Sequence, residues 1–362
     1  MTVLKHTPLY DTHLAAAARM TEFAGWTVPL HFGSQIEEHH AVRRDAGMFD
    51  VSHRQVIDLA GAVATPFLFQ LLANNVIRLE TPGTAMYSCL LNEHGGILDD
   101  FYVYRISHGE YRFVANAANA DHVLAWIRRC MAMSGAALTV EGRRDLALIS
   151  VQGPHAIERA QQAIPELNTA RARFKPFSGA RLGDLYIGRI GYTGEDGLEI
   201  MVPAKRAVAL WQALHDAGVQ PCGVGARDSL RLEAGLPLHG WDMDASTSPW
   251  DVGLGWSVDL RDPERDFVGR TALETTPAQA AFLGLVLNDP GVLRSGMRVF
   301  TPNGEGRTTS GGFSPTLQQS IALARLPLGT QPDTAVEVEI RGRRLRAHTV
   351  ALPFINQRRD FS

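Results

Sequence analysis

Residues 86–115 read MYSCLLNEHGGILDDFYVYRISHGEYRFVA, and this stretch decides the kind of fold that the chain can adopt. Apolar and aromatic residues dominate 86–91, 97–106 and 111–115, which predicts three strands. The sequence Glu-His-Gly-Gly at 93–96 is typical of a hairpin turn and predicts that the first two strands pair. This part of the chain therefore favours sheet over helix.

Helical and strand patterns alternate on both sides of this stretch. The spacing of apolar residues and the Gly and Pro residues that interrupt it define these elements. Together they predict an α+β protein. The predicted helices are 13–23, 35–46, 62–76, 121–133 and 205–217, and the further predicted strands are 54–59, 146–151, 185–190 and 198–202.

The composition changes near residues 275–277, and only short strands follow. Short strands separated by turns such as Asn303-Gly304 predict a small β-barrel domain of ~80 residues. We therefore expect one region at 1–275 and a C-terminal barrel domain at 276–362. The predicted barrel strands are 282–287, 298–301, 320–325, 335–340 and 345–352.

Length and composition exclude several classes of protein. A chain of 362 residues is long enough for two or three domains. With 45% apolar and 20% charged residues, it is neither disordered, collagen-like nor a coiled coil. Its formal net charge of −3 provides no strong field for nucleic acid or an anionic membrane. We therefore expect neither of them as a partner.

The spacing of the cysteines and the N-terminal sequence indicate the cellular compartment in which the protein is expected. Cys89, Cys130 and Cys222 are widely separated and form no C-x-x-C pair or plausible disulfide framework. The N-terminal residues contain no apolar signal-peptide core, and the longest apolar run, at 280–287, is too short to span a membrane. We expect a soluble, cytoplasmic protein.

The common signatures of nucleotide, serine-hydrolase and metal sites are missing from the sequence. It contains neither G-x-x-x-x-G-K-[ST] nor G-x-S-x-G, and G-V-G at 223–225 is an isolated G-x-G. The run E-E-H-H at 37–40 could suggest metal ligands, but no H-E-x-x-H motif or Cys partner accompanies it. We expect no metal site and interpret this run as a solvated helix face with a pairing histidine.

Asp99 and Asp100 lie inside an otherwise apolar predicted strand, where carboxylates are costly unless they are paired or used. Period-two alternation sends them to opposite faces, Asp99 with Ile97 and Phe101, and Asp100 with Tyr102. Either carboxylate could cap a turn, pair with an arginine or act in catalysis. Alternation alone cannot choose the functional one, although it places Asp99 on the more apolar face.

Two further segments place ligand-binding side chains beside glycines. In 191–199, a Gly-rich turn would let a flat ligand approach the backbone while Tyr192 stacks on it, although taken alone the glycines favour an ordinary tight turn. Arg227 lies at the start of a predicted helix at 229–234. It could make a forked contact with a carboxylate of a ligand, or it could pair with Asp228 or Glu233.

Taken in order, these segments resemble the glycine cleavage T-protein family, which are tetrahydrofolate-dependent aminomethyltransferases. Each block is short, but the blocks follow one another along essentially the whole chain. They are T-P-L-Y at 7–10, F-A-G-W at 23–26, P-L at 29–30, H-H-A-V-R at 39–43, G-M-F-D-V-S-H at 47–53, residues 95–100, V-Q-G-P at 151–154, G-Y-T-G-E at 191–195, residues 225–235, D-F-V-G-R at 266–270 and S-G-G-F-S-P-T-L at 310–317.

The resemblance implies a three-domain cloverleaf with a central folate-binding opening, in which two interleaved α+β domains precede the C-terminal barrel. It implies transfer of an aminomethyl group from the dihydrolipoyl arm of a lipoylated H protein to tetrahydrofolate, giving 5,10-methylenetetrahydrofolate and ammonia. It assigns catalysis to Asp100, and folate binding to Asn116, Tyr192, Glu199 and Arg227.

This chemistry needs no protein nucleophile and no metal. A folate nitrogen is the nucleophile, and the aminomethyl carbon becomes electrophilic as ammonia leaves. The protein has to position the two partners and stabilise the developing positive charge. A carboxylate such as Asp100 suits the second task and could also move a proton.

Four positions depart from the family's usual residues, namely Arg54 in place of Met, Leu236, Trp241 and Ala245. Arg54, near the ligand opening, leaves open a folate-dependent demethylase of a small methylated compound, which would turn over without H protein. Non-catalytic folate-binding relatives carry a Lys-Gly-Cys-Tyr-type motif that this sequence lacks. A fused oxidase would need several hundred additional residues for its flavin domain.

Overall fold

The computed structural model describes residues 3–170 and 174–355, whose strands form three open sheets and one closed barrel. Helices accompany the sheets, so the predicted α+β class and C-terminal barrel are confirmed. No helix in the described part of the chain is long and apolar enough to cross a membrane. The described α-helices are α1 (Tyr10–Ala15), α2 (Gln35–Arg44), α3 (Ala64–Leu71), α4 (Ala120–Ser134), α5 (Ala156–Ala163), α6 (Glu166–Thr169), α7 (Ala207–Asp216), α8 (Val224–Glu233) and α9 (Arg270–Thr275).

The stretch 86–115 forms three adjacent strands, from one edge to the middle, of a five-stranded sheet with the order β6-β7-β8-β5-β9. The predicted hairpin is confirmed, and it places Cys89 opposite Asp100. Helices α3 and α4 cover one face of this sheet, where Leu68 and Leu124 pack with Phe101. The strands are β5 (Gln55–Ala60), β6 (Ala85–Leu91), β7 (Ile97–Ser107), β8 (Glu110–Ala115) and β9 (Thr139–Gly142).

A six-stranded sheet with the order β11-β12-β13-β10-β4-β14 packs against the five-stranded sheet. Tyr104 and Val114 of the first sheet share a buried cluster with Tyr186 and Met201 of the second. This packing brings Glu199, in the middle of the second sheet, close to the first. The strands are β4 (Gly47–Asp50), β10 (Leu146–Gln152), β11 (Ser178–Leu182), β12 (Leu185–Arg189), β13 (Gly197–Pro203) and β14 (Gln220–Pro221).

The C-terminal barrel closes in the order β15-β18-β17-β16-β19-β20. The sequence analysis missed β17, because GEGRTTSGGFS is polar and rich in glycine and lacks the apolar pattern of a strand. Closure requires β17, which pairs with both β16 and β18. The strands are β15 (Ala281–Leu287), β16 (Arg298–Thr301), β17 (Gly304–Ser314), β18 (Gln319–Leu326), β19 (Ala335–Ile340) and β20 (Arg343–Val350). The boundary between 1–275 and 276–362 stays a prediction.

The predicted helix at 13–23 is wrong over most of its length. Helix α1 ends at Ala15, and Ala17 has a left-handed backbone with φ of 54° that stops it. The following residues form β2 in a small sheet with the order β1-β3-β2. Its strands are β1 (Lys5–His6), β2 (Arg19–Phe23) and β3 (Trp26–His31).

The predicted helix at 62–76 is too long. Helix α3 ends at Leu71, and Leu72 is extended, with ψ of 146°. A separate 3₁₀ turn follows at Val76–Arg78. By contrast, α4 and α7 confirm the predicted helices at 121–133 and 205–217.

Candidate active site

A cavity of about 340 Å³ lies between the two large sheets, α8 and the barrel. The five residues assigned by resemblance are far apart in the sequence, yet all of them line this cavity. Of the four departing positions, Arg54 and Leu236 also contribute to its wall. The predicted site residues are Asp100, Asn116, Tyr192, Glu199 and Arg227.

Asp100 presents its carboxylate to the cavity. Its side chain is almost fully buried, and Tyr87 donates its hydroxyl hydrogen to Oδ2 of Asp100 at 2.6 Å. Burial raises the pKa of Asp100, and the hydrogen bond from Tyr87 acts in the opposite direction. A carboxylate in this state can balance a positive charge on a ligand or take up a proton.

Asp99 faces the other side of β7 and has a different environment. It is fully buried and accepts hydrogen bonds from the backbone N–H of Asn116 at 3.0 Å and the side-chain amide of Asn119 at 3.1 Å. Burial, followed by the charge of Asp100, raises the pKa of Asp99 to about 6. Asp99 does not line the cavity among the described residues, so its partners give it a structural role.

Asn116 connects the two carboxylates. Its side-chain nitrogen donates to Oδ1 of Asp99 at 2.8 Å and to Oδ1 of Asp100 at 3.0 Å. Asn116 sits just after β8, at the point where the chain turns towards α4. It fixes the carboxylate of Asp100 relative to that of Asp99 on the same strand.

His239 completes this polar group from the loop after α8. Its Nε2 donates to the carbonyl oxygen of Ile97 at 3.0 Å, so Nδ1 accepts from the side-chain nitrogen of Asn119 at 2.8 Å. These two contacts tie the loop after α8 to Asn119 and to β7, next to the aspartates.

Glu199 and Arg54 form a buried ion pair on the opposite wall. The Nη1 of Arg54 donates to Oε1 of Glu199 at 2.9 Å, and the exposed fractions of the two side chains are 12% and 2%. Burial disfavours the charge of Arg54, but Glu199 and then Asp100 outweigh it and raise the pKa of Arg54. The sequence marks Arg54 as a departure near the ligand opening but does not indicate its partner, which is the predicted folate-binding residue Glu199.

Arg227 and Tyr192 stand between this cavity and an adjoining one of about 570 Å³, and they line both. The guanidinium carbon of Arg227 lies 4.6 Å from the centre of the Tyr192 ring, a cation–π contact. Burial, and next the positive charge of Arg54, lower the pKa of Arg227 to about 10, so it stays protonated at neutral pH. Tyr192 donates its hydroxyl hydrogen to the carbonyl of Pro237 at 2.6 Å.

The suggested pairing of Arg227 with Asp228 or Glu233 does not occur. Asp228 instead accepts from Arg231 at 2.8 Å, and Glu233 is bonded to Arg43 at 2.8 Å. Within residues 3–170 and 174–355, the guanidinium of Arg227 makes no hydrogen bond or ion pair. It is therefore available for an anionic or polar ligand.

Two departing positions lie away from the first cavity. Trp241 is 57% exposed and lines the larger cavity. The carbonyl oxygen of Ala245 accepts from the side-chain nitrogen of Asn92 at 2.8 Å and abuts Gly96, where a Cβ would come within 1.9 Å of it. Ala245 thus supports the hairpin turn before the two aspartates.

Tyr87 is a site residue that sequence reasoning missed. It lines the cavity, bonds to Asp100 and stacks on Trp256 with 5.0 Å between ring centres. The predicted turn at 93–96 would pair Cys89 with Asp100, and Tyr87 lies two residues from Cys89 on the same face. The hairpin register was therefore a usable signal, whereas nothing local indicated Asn119 or His239.

The run at 37–40 is not the solvated helix face that we expected. Glu38 and His39 are buried in α2. The carboxylate of Glu38 accepts hydrogen bonds from the backbone N–H groups of Phe32 and Gly223. The two ring nitrogens of His39 form hydrogen bonds with the hydroxyl groups of Ser229 and Thr316. The described residues contain no group of three or more His, Cys, Asp or Glu that could hold a metal ion.

Comparison with known proteins gives one consistent result. Residues 9–262 match the family model described as the GCVT N-terminal domain, and residues 281–356 match the glycine cleavage T-protein C-terminal barrel domain. Among curated proteins, an aminomethyltransferase of Bordetella petrii is 54% identical over 97% of this chain and 96% of its own. One of Burkholderia multivorans is 51% identical over 98% of each chain.

A solved structure agrees with these matches. The crystal structure of glycine cleavage system aminomethyltransferase T from Bartonella henselae is 35% identical and superposes with a TM-score of 0.90. The superposition covers 98% of this chain and 99% of the other.

Proposed function

The chain belongs to the glycine cleavage T-protein family, and from that premise we propose that Asp100 is its catalytic carboxylate. The chain is an aminomethyltransferase, as its family membership over nearly the whole length indicates. The single observation that supports the role of Asp100 is its placement. It is a buried carboxylate, open to a cavity, and among the described residues no cation is bonded to it directly.

The reaction that we propose transfers the one-carbon unit of an S-aminomethyl-dihydrolipoyl H protein to tetrahydrofolate. Two folate nitrogens bond to the carbon, the C–N bond to ammonia and the C–S bond to the lipoyl arm break, and the two folate N–H protons end on nitrogen and sulfur. The products are 5,10-methylenetetrahydrofolate, ammonia and dihydrolipoyl H protein. Positive charge develops on the carbon as ammonia leaves, and Asp100 stabilises it from a fixed position.

The lining of the cavity supports the folate-binding roles that we propose. Glu199 accepts N–H groups of the pterin, and Tyr192 packs beside the ring system. Arg227, which makes no ion pair within the described structure, supplies a charge for a polar or carboxylate group of the ligand. Asn116 holds Asp100 in place from behind. These contacts place the folate and the aminomethyl carbon together, which lowers the entropic part of the barrier.

The test is folate-dependent release of ammonia from aminomethylated, lipoylated H protein. We expect the purified chain to produce ammonia and 5,10-methylenetetrahydrofolate in equal amounts, without added metal or nucleotide. Turnover of a small methylated compound in the absence of H protein would support the demethylase instead, which the comparisons do not favour. Activity that is lost on exhaustive chelation and restored by a metal would contradict the metal-free reaction.

A further inference from the structure

The guanidinium of Arg54 is held on the wall of the cavity by bonds to two strands. Its Nη1 donates to Oε1 of Glu199 on β13 at 2.9 Å, and its Nη2 donates to the carbonyl oxygen of Val114 on β8 at 3.2 Å. The side chain is only 12% exposed. Arg54 therefore brings to the cavity a positive charge whose position is fixed.

The strand register places this charge in line with Asp100 across the five-stranded sheet. Gln55 of β5 pairs with Ala115 of β8, so the next positions along the two segments are 54 and 116. The side-chain nitrogen of Asn116 donates to Oδ1 of Asp100 on β7 at 3.0 Å. Two strand spacings, about 10 Å, thus separate the backbones of Arg54 and Asp100. Both side chains line the same cavity.

The carboxylates of this region outnumber its arginines. Asp100 and Glu199 line the cavity, and Asp99 is buried next to Asp100 on β7. Among the described lining residues, the only arginines are Arg54 and Arg227, and none is a lysine. In a buried site of low dielectric, like charges oppose each other's ionisation. An uncharged residue in place of Arg54 would leave the carboxylates with a single arginine, and one of them would then bind a proton more readily.

We propose that Arg54 is a positioning residue that holds Glu199 and keeps Asp100 ionised for the reaction through its fixed charge. The inference rests on the proposed function, because it assumes that ionised Asp100 stabilises the positive charge on the aminomethyl carbon. Burial raises the pKa of Asp100, whereas the hydrogen bond from Tyr87, the ring of His239 and then the charge of Arg54 lower it. The Met that is usual at this position in the family carries no charge and could not have this role.

The other titratable and charged groups around Asp100 are the same in the wild type and in variants of Arg54. Burial raises the pKa of Cys89 to about 12 and also raises the pKa of each tyrosine, so these groups stay neutral near neutral pH. The groups are Tyr87 and Cys89 on β6, Asp99 and Tyr102 on β7, Tyr192 after β12, Glu199 on β13, Arg227 on α8 and His239 in the loop after α8.

The experiment measures kcat for folate-dependent ammonia release against pH, with tetrahydrofolate and aminomethylated H protein both saturating. Protonation of Asp100 should produce an acid limb, and the limb should be absent in Asp100→Asn. Loss of a positive charge raises the pKa of a nearby carboxyl group, so for Arg54→Met we expect the limb to move to higher pH by about half a unit or more. Arg54→Lys keeps the charge, so its limb should stay close to that of the wild type.

A matched control separates this effect from general loss of stability. Arg112→Met removes another buried arginine of the same sheet, one bonded to Asp58 at 2.6 Å and outside the cavity, and should leave the limb in place. An unshifted limb in Arg54→Met, or a limb that persists in Asp100→Asn, would overturn the inference. An equal shift in Arg54→Met and in either Arg54→Lys or Arg112→Met would also overturn it. If the wild-type chain releases no ammonia with folate at any pH, the proposed function itself fails.

Discussion

Glu233 and Asp100 are both buried carboxylates, but their surroundings differ in the kind of partner. Glu233, at the end of α8, bonds to Arg43 at 2.8 Å, to His39 at 3.2 Å and to the hydroxyl of Ser314 in the barrel at 2.6 Å. Burial opposes its charge, yet these hydrogen bonds outweigh burial and lower the pKa of Glu233 to about 2. Glu233 thus joins α2, α8 and the barrel through a satisfied network.

Asp100 receives its hydrogen bonds from neutral groups, Tyr87 and Asn116. Burial raises its pKa, and Asp99 next to it shows the same direction of shift. Burial alone therefore does not mark a catalytic carboxylate. A carboxylate that a cation already satisfies stabilises the fold, and one without a directly bonded cation, facing a cavity, is free to act on a ligand.

The change Asp100→Asn tests whether Asp100 acts in catalysis, and of the variants considered it has the largest expected effect on turnover. The amide keeps the size of the side chain but cannot balance positive charge or accept a proton. We expect kcat for ammonia release to fall about 10²–10³-fold, equivalent to about 2.7–4 kcal/mol. Calorimetry should show folate affinity close to that of the wild type. A near-normal rate would remove Asp100 from catalysis.

The change Glu233→Gln tests whether the hydrogen-bonded network of Glu233 stabilises the fold. It leaves Arg43 without one of its two carboxylate partners, the other being Glu195 at 3.1 Å. We expect a loss of about 3 kcal/mol of unfolding free energy in urea titrations at pH 7. Folate affinity of the folded protein should be retained. Glu305→Gln, which breaks an exposed pair with Arg298, is the control and should cost under about 1 kcal/mol.

The pH dependence of the stability difference between the wild type and Glu233→Gln shows whether the charge of Glu233 is responsible for it. The pKa of Glu233 is lowered to about 2 from an ordinary value of 4.5, so its charge stabilises the fold above pH 4.5. That stabilisation is lost as the pH falls from 4.5 towards 2. We expect the gap between the wild type and Glu233→Gln to narrow over this window, and a constant gap would show that the charge is not responsible.

The same contrast holds for two arginines on α8. Arg231 bonds to Asp228 and Asp242, whereas the guanidinium of Arg227 has only the Tyr192 ring in the described structure. We expect Arg227→Ala to raise KM for tetrahydrofolate about 10- to 100-fold and to change kcat little, because the contact persists through the reaction. Arg231→Ala should instead lower the melting temperature. Unchanged folate affinity with a collapsed kcat would place Arg227 in the chemistry.

Asp99→Asn is expected to have the smallest effect on turnover. Three N–H groups of Asn116 and Asn119 point at this carboxylate, and an amide would oppose one of them with its own donor. We expect a loss of about 1–3 kcal/mol in stability, read as a lower melting temperature, with much less harm to kcat than Asp100→Asn. The reverse order of the two variants would mean that the faces of β7 are assigned wrongly.

Much of the fold could be predicted because its signals are local. The hairpin at 93–96, the helices α4 and α7 and most barrel strands follow from periodicity and turn residues within a short window. The failures have local causes as well. An Ala-rich segment favours helix, but β2 gains ladder bonds to β3, and the glycine-rich β17 is held by strands on both sides. Pairing with the neighbouring strands overrode the propensity of each segment.

The sequence by itself determined the fold class, the barrel, the family resemblance and the presence of two adjacent carboxylates. The packing of the folded chain settles which aspartate meets a cavity and that Arg54 bonds to Glu199. It also leaves Arg227 without an ion pair among the residues that the structure describes. The physical reason is the distance along the chain. Arg54 and Glu199 are 145 residues apart, and they meet because two sheets pack through their apolar faces. Local periodicity selects the faces that become buried, but the packing of those faces against each other selects the partners of each charge.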